Sequence, residues 1–117
     1  MAEYLPVFKP GQAITLKASA TITGGQLVEV TGSGTVGPAG AASTKVVGVA
    51  AFDAVTNDNV TIYSGGVQHA TASGAVTAGD VVSAGAAGTV ASVGTAPVGI
   101  ALTTAAGGAD VRVQFNR

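Results

Sequence analysis

The sequence predicts an all-β fold, either a small β-barrel or a sandwich, made of two related β units. Short apolar runs with a turn signal about every eight to twelve residues indicate many short strands, and no segment keeps a helical period over three turns. The runs Val46–Ala50 and Pro97–Ala101 also carry a glycine at the same place. Their surroundings match as well, which indicates an internal repeat at about residues 21–63 and 75–115.

The two repeats align with an offset of 54 residues before the central run and 51 after it. The offset changes because nine residues separate Val36 from Val46, whereas six separate Val90 from Pro97. Such a length difference is typical of a surface loop. Two repeats are too few for a solenoid. We therefore interpret residues 11–117 as a single β domain whose halves are related.

Each strand of the first half has its own signal. Ile14 and Leu16 alternate with polar residues, which predicts a strand with one wet face. Leu27–Val30 lies between glycine turns and predicts the next strand. Val46–Phe52 is apolar on both faces, as expected of a buried central strand. Val60–Tyr63 alternates again.

Gly65-Gly66 leads to a further predicted strand at Val67–Ala72, which precedes the second repeat. The unit then repeats, with strands predicted near Val81–Ala84, Thr89–Val93, Val98–Thr103 and Asp110–Phe115. In the last of them, Val111, Val113 and Phe115 share one face, and Arg112 and Gln114 share the other. This alternation predicts a strand with one buried side.

Composition limits the classes of partner. Charged residues make up 9% of the chain and the net charge is -1, so we expect no nucleic-acid partner, because no basic patch is available to neutralise phosphates. The longest apolar run has seven residues, against about twenty in a membrane helix, and Met1–Pro6 lacks the pattern of a signal peptide. We expect no membrane partner. Eighteen glycines and few aromatics predict a thin core, which favours association with other chains.

No catalytic constellation is visible in the sequence. Gly32–Gly37 matches the dinucleotide fingerprint, but Pro38 follows where that motif needs a helix to begin. His69 has no evident carboxylate partner, so we interpret it as a surface or strand-edge histidine. The chain has no cysteine. We predict no enzyme activity, no small-molecule substrate and no cofactor.

The aspartates do not form a predicted metal site. Asp53, Asp58, Asp80 and Asp110 are spread along the chain. Asp58 and Asp80 fall in turn signals, where an aspartate side chain accepts hydrogen bonds from nearby backbone. Asp53 follows an apolar strand and is placed to cap a turn. We predict no metal.

The first ten residues differ from the rest. Met1–Pro10 holds Tyr4, Leu5 and Phe8, and its prolines favour an extended path. One interpretation is a frayed terminus. We prefer an extended arm that places its bulky side chains on a partner, because such side chains on a free arm would otherwise remain exposed. A third possibility is that the arm covers its own barrel or a neighbouring subunit.

A series of glycine and valine spacings, taken in order, resembles the small tailed-bacteriophage capsid decoration proteins, also called head-stabilising or cement proteins. The spacings are Pro10-Gly11-x-x-Ile14-Thr15, Gly25-x-x-Val28, Val47-Gly48-Val49-Ala50, Asp53-Ala54, Val60-Thr61, Gly66-Val67, Ala78-Gly79-Asp80-x-Val82, Val98-Gly99-Ile100-Ala101 and Asp110-Val111-Arg112-Val113. The similarity extends over nearly the whole chain from about residue 7.

This resemblance implies a structural protein that binds the outer surface of an assembled viral shell and stabilises it. It implies a homotrimer on the virion, made in the host bacterial cytoplasm, with the major capsid protein as its partner. It implies no catalytic residues. The arm then becomes the candidate capsid-binding site, with Tyr4, Leu5 and Phe8 as anchors. The alternative is another phage structural or adhesive module, such as a fibre or tail component.

Overall fold

The computed structural model describes residues 7–8, 11–92 and 95–116, and these contain ten β-strands and one short 3-10 turn at Ala86–Gly88. The predicted all-β fold of two related units is confirmed. The predicted arm at residues 1–10 lies outside the described residues except for Val7 and Phe8.

The first unit is a closed five-stranded barrel. Its strands are β1 (Ile14–Ala18), β2 (Leu27–Gly32), β3 (Thr35–Pro38), β4 (Val46–Ala50) and β5 (Asn59–Tyr63). They follow the order β1-β3-β2-β4-β5, and β1 closes the barrel by pairing antiparallel with β5 and parallel with β3. Residues buried inside it include Ile22, Val28, Val36 and Ile62. Val60 and Ile62 keep the alternation that the sequence pattern predicts, whereas Val28 and Val36 each have a second buried residue beside them in the strand.

The second unit is a five-stranded sheet. Its strands are β6 (Gly66–Thr71), β7 (Val81–Ala84), β8 (Val90–Ala91), β9 (Pro97–Ala101) and β10 (Asp110–Phe115). Their order is β6-β10-β9-β7-β8, which leaves β6 and β8 as the two edges. A single parallel bridge from Ala72 to Val90 joins these edges. The second unit therefore follows the path of the first without completing its closure.

Strand pairing in the two units agrees residue by residue at the offsets of 54 and 51. Val28 lies opposite Gly48 in the first unit, and Val82 lies opposite Gly99 in the second. A bulge follows each of these pairs. The parallel pair of Ala18 with Val36 likewise has its counterpart in Ala72 and Val90. This agreement reaches back to Ile14, whose counterpart is Gln68.

Gly48 and Gly99 occupy equivalent, crowded positions. A Cβ atom on Gly48 would overlap the backbone carbonyl oxygen of Tyr63. One on Gly99 would overlap the carbonyl oxygen of Gln114, which is the counterpart of Tyr63. Close backbone approach is one of the few reasons for a glycine inside a strand. Both central runs therefore keep their glycine for the same steric reason.

The first unit contributes to the core of the second. Leu27, Ala39, Val46 and Val49 belong to the same buried cluster as the interior residues of the second unit. The connection between β3 and β4, residues 39–45, is hereafter the β3–β4 loop. Its Ala42 N–H donates to the carbonyl oxygen of Ala84 at 2.9 Å, and its Ala39 carbonyl accepts from Gly88 N–H at 2.8 Å. We call these contacts the junction.

The central strand is shorter than predicted. β4 ends at Ala50, and Phe52 is exposed rather than buried. After Ala50 the chain turns out of the sheet, and Ala54 then forms an isolated bridge with Ile22. The second unit has the corresponding bridge between Val76 and Ala105.

Candidate functional site

The predicted anchors of the arm are only partly visible. Tyr4 and Leu5 lie outside the described residues. Phe8 is 36% exposed, and its neighbour Val7 is more exposed still. The role of all three predicted anchors in capsid binding stays a prediction.

Large apolar side chains are also exposed on both units. Those exposed within the described part of the chain are Val7, Phe8, Val30, Phe52, Val55, Tyr63, Val67, Val81, Ile100 and Leu102. Four of them lie on one side of the second unit, so that this side offers a larger apolar surface than scattered single residues would.

These four residues form what we call the second-unit face: Val67, Val81, Ile100 and Leu102. Val81 lies directly opposite Ile100, Ile100 opposite Gln114, and Gln114 opposite Val67. Directly opposed residues share a face of the sheet. Strands lie about 5 Å apart, so this row spans roughly 15 Å across four strands. Leu102 follows two residues after Ile100, where its N–H donates to the Arg112 carbonyl.

Charged groups flank the second-unit face. His69 Nδ1 lies 3.1 Å from Asp110 Oδ2, and both side chains are well exposed. His69 pairs directly with Arg112 across the strands. The interpretation of His69 as a surface residue on an edge strand is confirmed, but the expectation that it lacks a carboxylate partner is wrong. The partner is 41 residues away along the chain, and only the pairing of β6 with β10 brings the two together.

A shallow cleft lies at one end of the first unit. It has a volume of about 260 Å³ and is lined by Thr21, Ile22, Thr23, Asp53, Ala54, Val55 and Asp58. Asp53 Oδ1 accepts a hydrogen bond from Gly24 N–H at 2.8 Å, so it braces a neighbouring loop rather than capping a turn of its own. Asp58 accepts from Val55 N–H, the local turn bond that its sequence context predicts. Both carboxylates thus serve the local backbone.

Glu29 fixes the β3–β4 loop. Its Oε1 accepts a hydrogen bond from Gly40 N–H at 3.0 Å. That bond, a hydrogen bond with Ser43 and the attraction of Lys45 together hold the pKa of Glu29 below its usual value of 4.5, although partial burial opposes them. The counterpart of Glu29 in the second unit is the buried Ser83. Only the first unit therefore has this carboxylate clamp.

The described residues show neither a metal site nor a membrane-spanning helix. No group of three or more histidine, aspartate or glutamate side chains there is arranged to hold a metal ion. The same part of the chain contains no helix of the length and apolarity that a membrane crossing requires.

A small, weakly charged double β unit with exposed apolar surfaces belongs to the class of binding and structural proteins. Comparison with family models makes this specific, because residues 8–116 match the model described as phage cement protein. The chain belongs to the phage cement protein family, whose members are structural phage proteins that stabilise the capsid. No curated protein matches the chain significantly.

A solved structure has a similar fold. It is the N base of the head fiber protein gp8.5 of bacteriophage phi29, which has 20% sequence identity with this chain and a TM-score of 0.72. The alignment covers 89% of this chain and 92% of that one. At this identity the likeness establishes the fold alone. It extends over both units, so the double unit is an architecture shared with another phage protein.

The sequence analysis did not single out the second-unit face. Its signal was nonetheless in the repeat, because Val81 and Ile100 align with Leu27 and Val49. Both pairs point away from the barrel interior. Sequence comparison alone did not show which of these outward pairs is covered.

Proposed function

We propose that this chain binds the outer surface of an assembled phage shell as a homotrimer, through contacts with the major capsid protein. The match of residues 8–116 to the phage cement family is the observation that carries this proposal. The protein would then reside on the outside of the virion after synthesis in the host bacterial cytoplasm. Its role there is to stabilise the shell without catalysis.

Self-association follows from the composition of the core. The interior is built mostly of alanine and valine, and its largest fully buried side chains are Ile22, Leu27 and Ile62. Small side chains bury little apolar area, so the free energy gained from folding one chain is modest. Association of subunits adds buried area. The low charge of the surface favours this, since the centres of interfaces are depleted in charged residues.

The arm is the proposed shell anchor, with Tyr4, Leu5 and Phe8 as its contacts. Burying one large apolar side chain contributes roughly 1.5–3 kcal/mol. Pro6 and Pro10 restrict the unbound arm, which lowers the entropy cost of docking. The exposure of Val7 and Phe8 leaves apolar surface available at the base of the arm.

Co-sedimentation with empty heads tests the function. The expected result is saturable binding at a fixed ratio to the major capsid protein, with heads that withstand heating or chelation better than bare heads. A tail component would not bind heads at such regular occupancy. Absence of saturable binding would therefore exclude the decoration role.

Truncation tests the arm. A chain that starts at Gly11 is expected to fold and keep its oligomeric state but to lose most of its shell binding. The double substitution Tyr4→Ala with Phe8→Ala should weaken binding less severely. Unchanged affinity of the truncated chain would show that the anchor lies elsewhere. Unfolding or dissociation would instead place the arm in the core or between subunits.

A further inference from the structure

We propose that the second-unit face is a contact surface for another copy of this chain. Val81 and Ile100 form its centre. The inference rests on the proposed self-association but not on shell binding, so the two can fail separately.

The internal repeat supplies the first step of the argument. Val81 is the counterpart of Leu27, and Ile100 is the counterpart of Val49. Leu27 and Val49 are 0% and 4% exposed, whereas Val81 and Ile100 are 50% and 40% exposed. The two rows have the same place in the same strand pairing. They differ in burial because the first row is covered and the second is open.

The identity of the cover supplies the second step. Within one chain, the row of Leu27 and Val49 is covered by a β unit of the same fold, the second unit. The cover is held by backbone contacts at the junction and by Gln26, whose Nε2 donates to the Ala87 carbonyl oxygen at 3.1 Å. The second unit has an apolar surface at the equivalent position, formed by Val81 and Ile100. Another copy of the chain offers units of that same fold.

The side chains themselves supply the third step. Val81 and Ile100 lie directly opposite each other, so they form a contiguous exposed apolar patch, and such patches mark interaction surfaces. The flanking charges comprise both signs, Arg112 beside the pair of His69 and Asp110. A face of mixed sign does not repel a second copy of itself as a face of single sign would.

The loop lengths indicate what kind of contact this is. Two junction hydrogen bonds come from the β3–β4 loop, at Ala39 and Ala42. The corresponding connection of the second unit is shorter by three residues, so it does not reproduce that loop. The contact between chains would then depend more on apolar burial than on hydrogen bonds. Such a contact is reversible, and the fraction of chains that make it rises with protein concentration.

Cross-linking tests the contact directly. The chain has no cysteine, so Ile100→Cys introduces a single reactive thiol. In a homotrimer whose three copies meet through this face, the introduced thiols lie close together around the three-fold axis, so a short bis-maleimide is expected to join the full-length chains covalently in pairs. Val55→Cys, on an exposed residue of the first-unit cleft, is the matched control and should give no covalent dimer on a denaturing gel under the same conditions. Failure of Ile100→Cys to cross-link better than the control at any concentration would overturn the proposal.

Charge substitution tests its energetic weight. Val81→Glu is expected to weaken self-association more than tenfold in sedimentation velocity, whereas Val55→Glu should leave it unchanged. Thermal unfolding verifies that both variants are folded. A Val81→Glu protein that keeps its oligomeric state but no longer binds heads would assign the face to the shell and overturn the proposal. A wild-type chain that is monomeric both free and on heads would overturn it as well.

The readouts separate this inference from the proposed function. Self-association through Ile100 in a protein that fails to bind heads would leave the inference standing and exclude the decoration role. Stoichiometric head binding by a chain whose Ile100 contacts no other copy would do the reverse.

Discussion

The two units share one strand pairing, yet only the first is complete without help. Its interior cluster contains first-unit residues alone, and its barrel is closed by β1. The second unit is joined between β6 and β8 by a single bridge only, and its interior cluster includes Leu27, Ala39, Val46 and Val49 of the first. Although their interior residues are equivalent, the first unit forms its core from its own residues, whereas the second unit shares its core with residues of the first. The difference lies on the surfaces and in one loop.

The largest expected loss of stability comes from substituting the central-strand glycine that both units share. Gly48→Ala and Gly99→Ala each force a Cβ into a backbone carbonyl, so each should lower the free energy of unfolding by about 3 kcal/mol. Denaturant unfolding measures this. Gly74→Ala is the control, because a Cβ there meets no atom within 4 Å, and it should change little. If Gly99→Ala were as stable as the control, the second central run would not need its glycine.

The next largest effect should distinguish the covered row, which contains Leu27, from the open row, which contains Val81. Leu27→Ala removes a fully buried side chain at the junction and should cost about 3 kcal/mol. Val81→Ala changes the equivalent but half-exposed position and should cost under about 1 kcal/mol in dilute, dissociated protein. Thermal or denaturant unfolding at low concentration makes the comparison. Equal losses would mean that the two rows are buried alike in a single chain.

A smaller effect should measure how tightly the two units pack at the junction. Gly88 and Gly34 are equivalent residues that both have positive φ, so alanine at either incurs a similar backbone cost of roughly 1 kcal/mol. Only at Gly88 would the added Cβ also press against Gln26 and the Leu27 carbonyl. Gly88→Ala should therefore be about 2 kcal/mol less stable than Gly34→Ala in equilibrium unfolding. Equal stability of the two variants would show that the junction accommodates the added methyl group without further cost.

The smallest effect concerns the carboxylate clamp that only the first unit has. Glu29→Gln should lower stability by about 1 kcal/mol at neutral pH, because the Gly40 and Ser43 bonds lose a charged acceptor. The pKa of Glu29 is lowered by folding, so its stabilisation is full above 4.5 and is lost as the pH falls through the lowered value. The gap between wild type and variant should close on acidification. A gap that is independent of pH would contradict this origin.

The fold class could be predicted because its signals are local. Alternation along each strand and the repeated central glycine require no knowledge of the tertiary structure. The start of the repeat could not be found the same way, since Ile14–Lys17 and Gln68–Thr71 have no identical residue at any aligned position although they pair equivalently. Their equivalence lies in the backbone hydrogen bonds alone.

The candidate site was less predictable. Tyr4, Leu5 and Phe8 follow from composition and resemblance, and their role remains a prediction. The partnership of His69 with Asp110 depends on the register between β6 and β10, which no short-range pattern encodes. The second-unit face depends on which outward row is covered. That is a property of packing between units, so aligned sequences alone do not contain it.

The dependence of the second unit on the first also orders the events of folding. A ribosome releases residues 14–63 before residues 66–115, and the first barrel has its whole core within that early segment. Its closing pair, Ile14 with Ile62, must still be brought together across most of the segment, which is slow for a β-protein. The later strands then emerge beside a surface that already presents Leu27 and Val49. We therefore expect the second unit to fold against a first unit that is already formed.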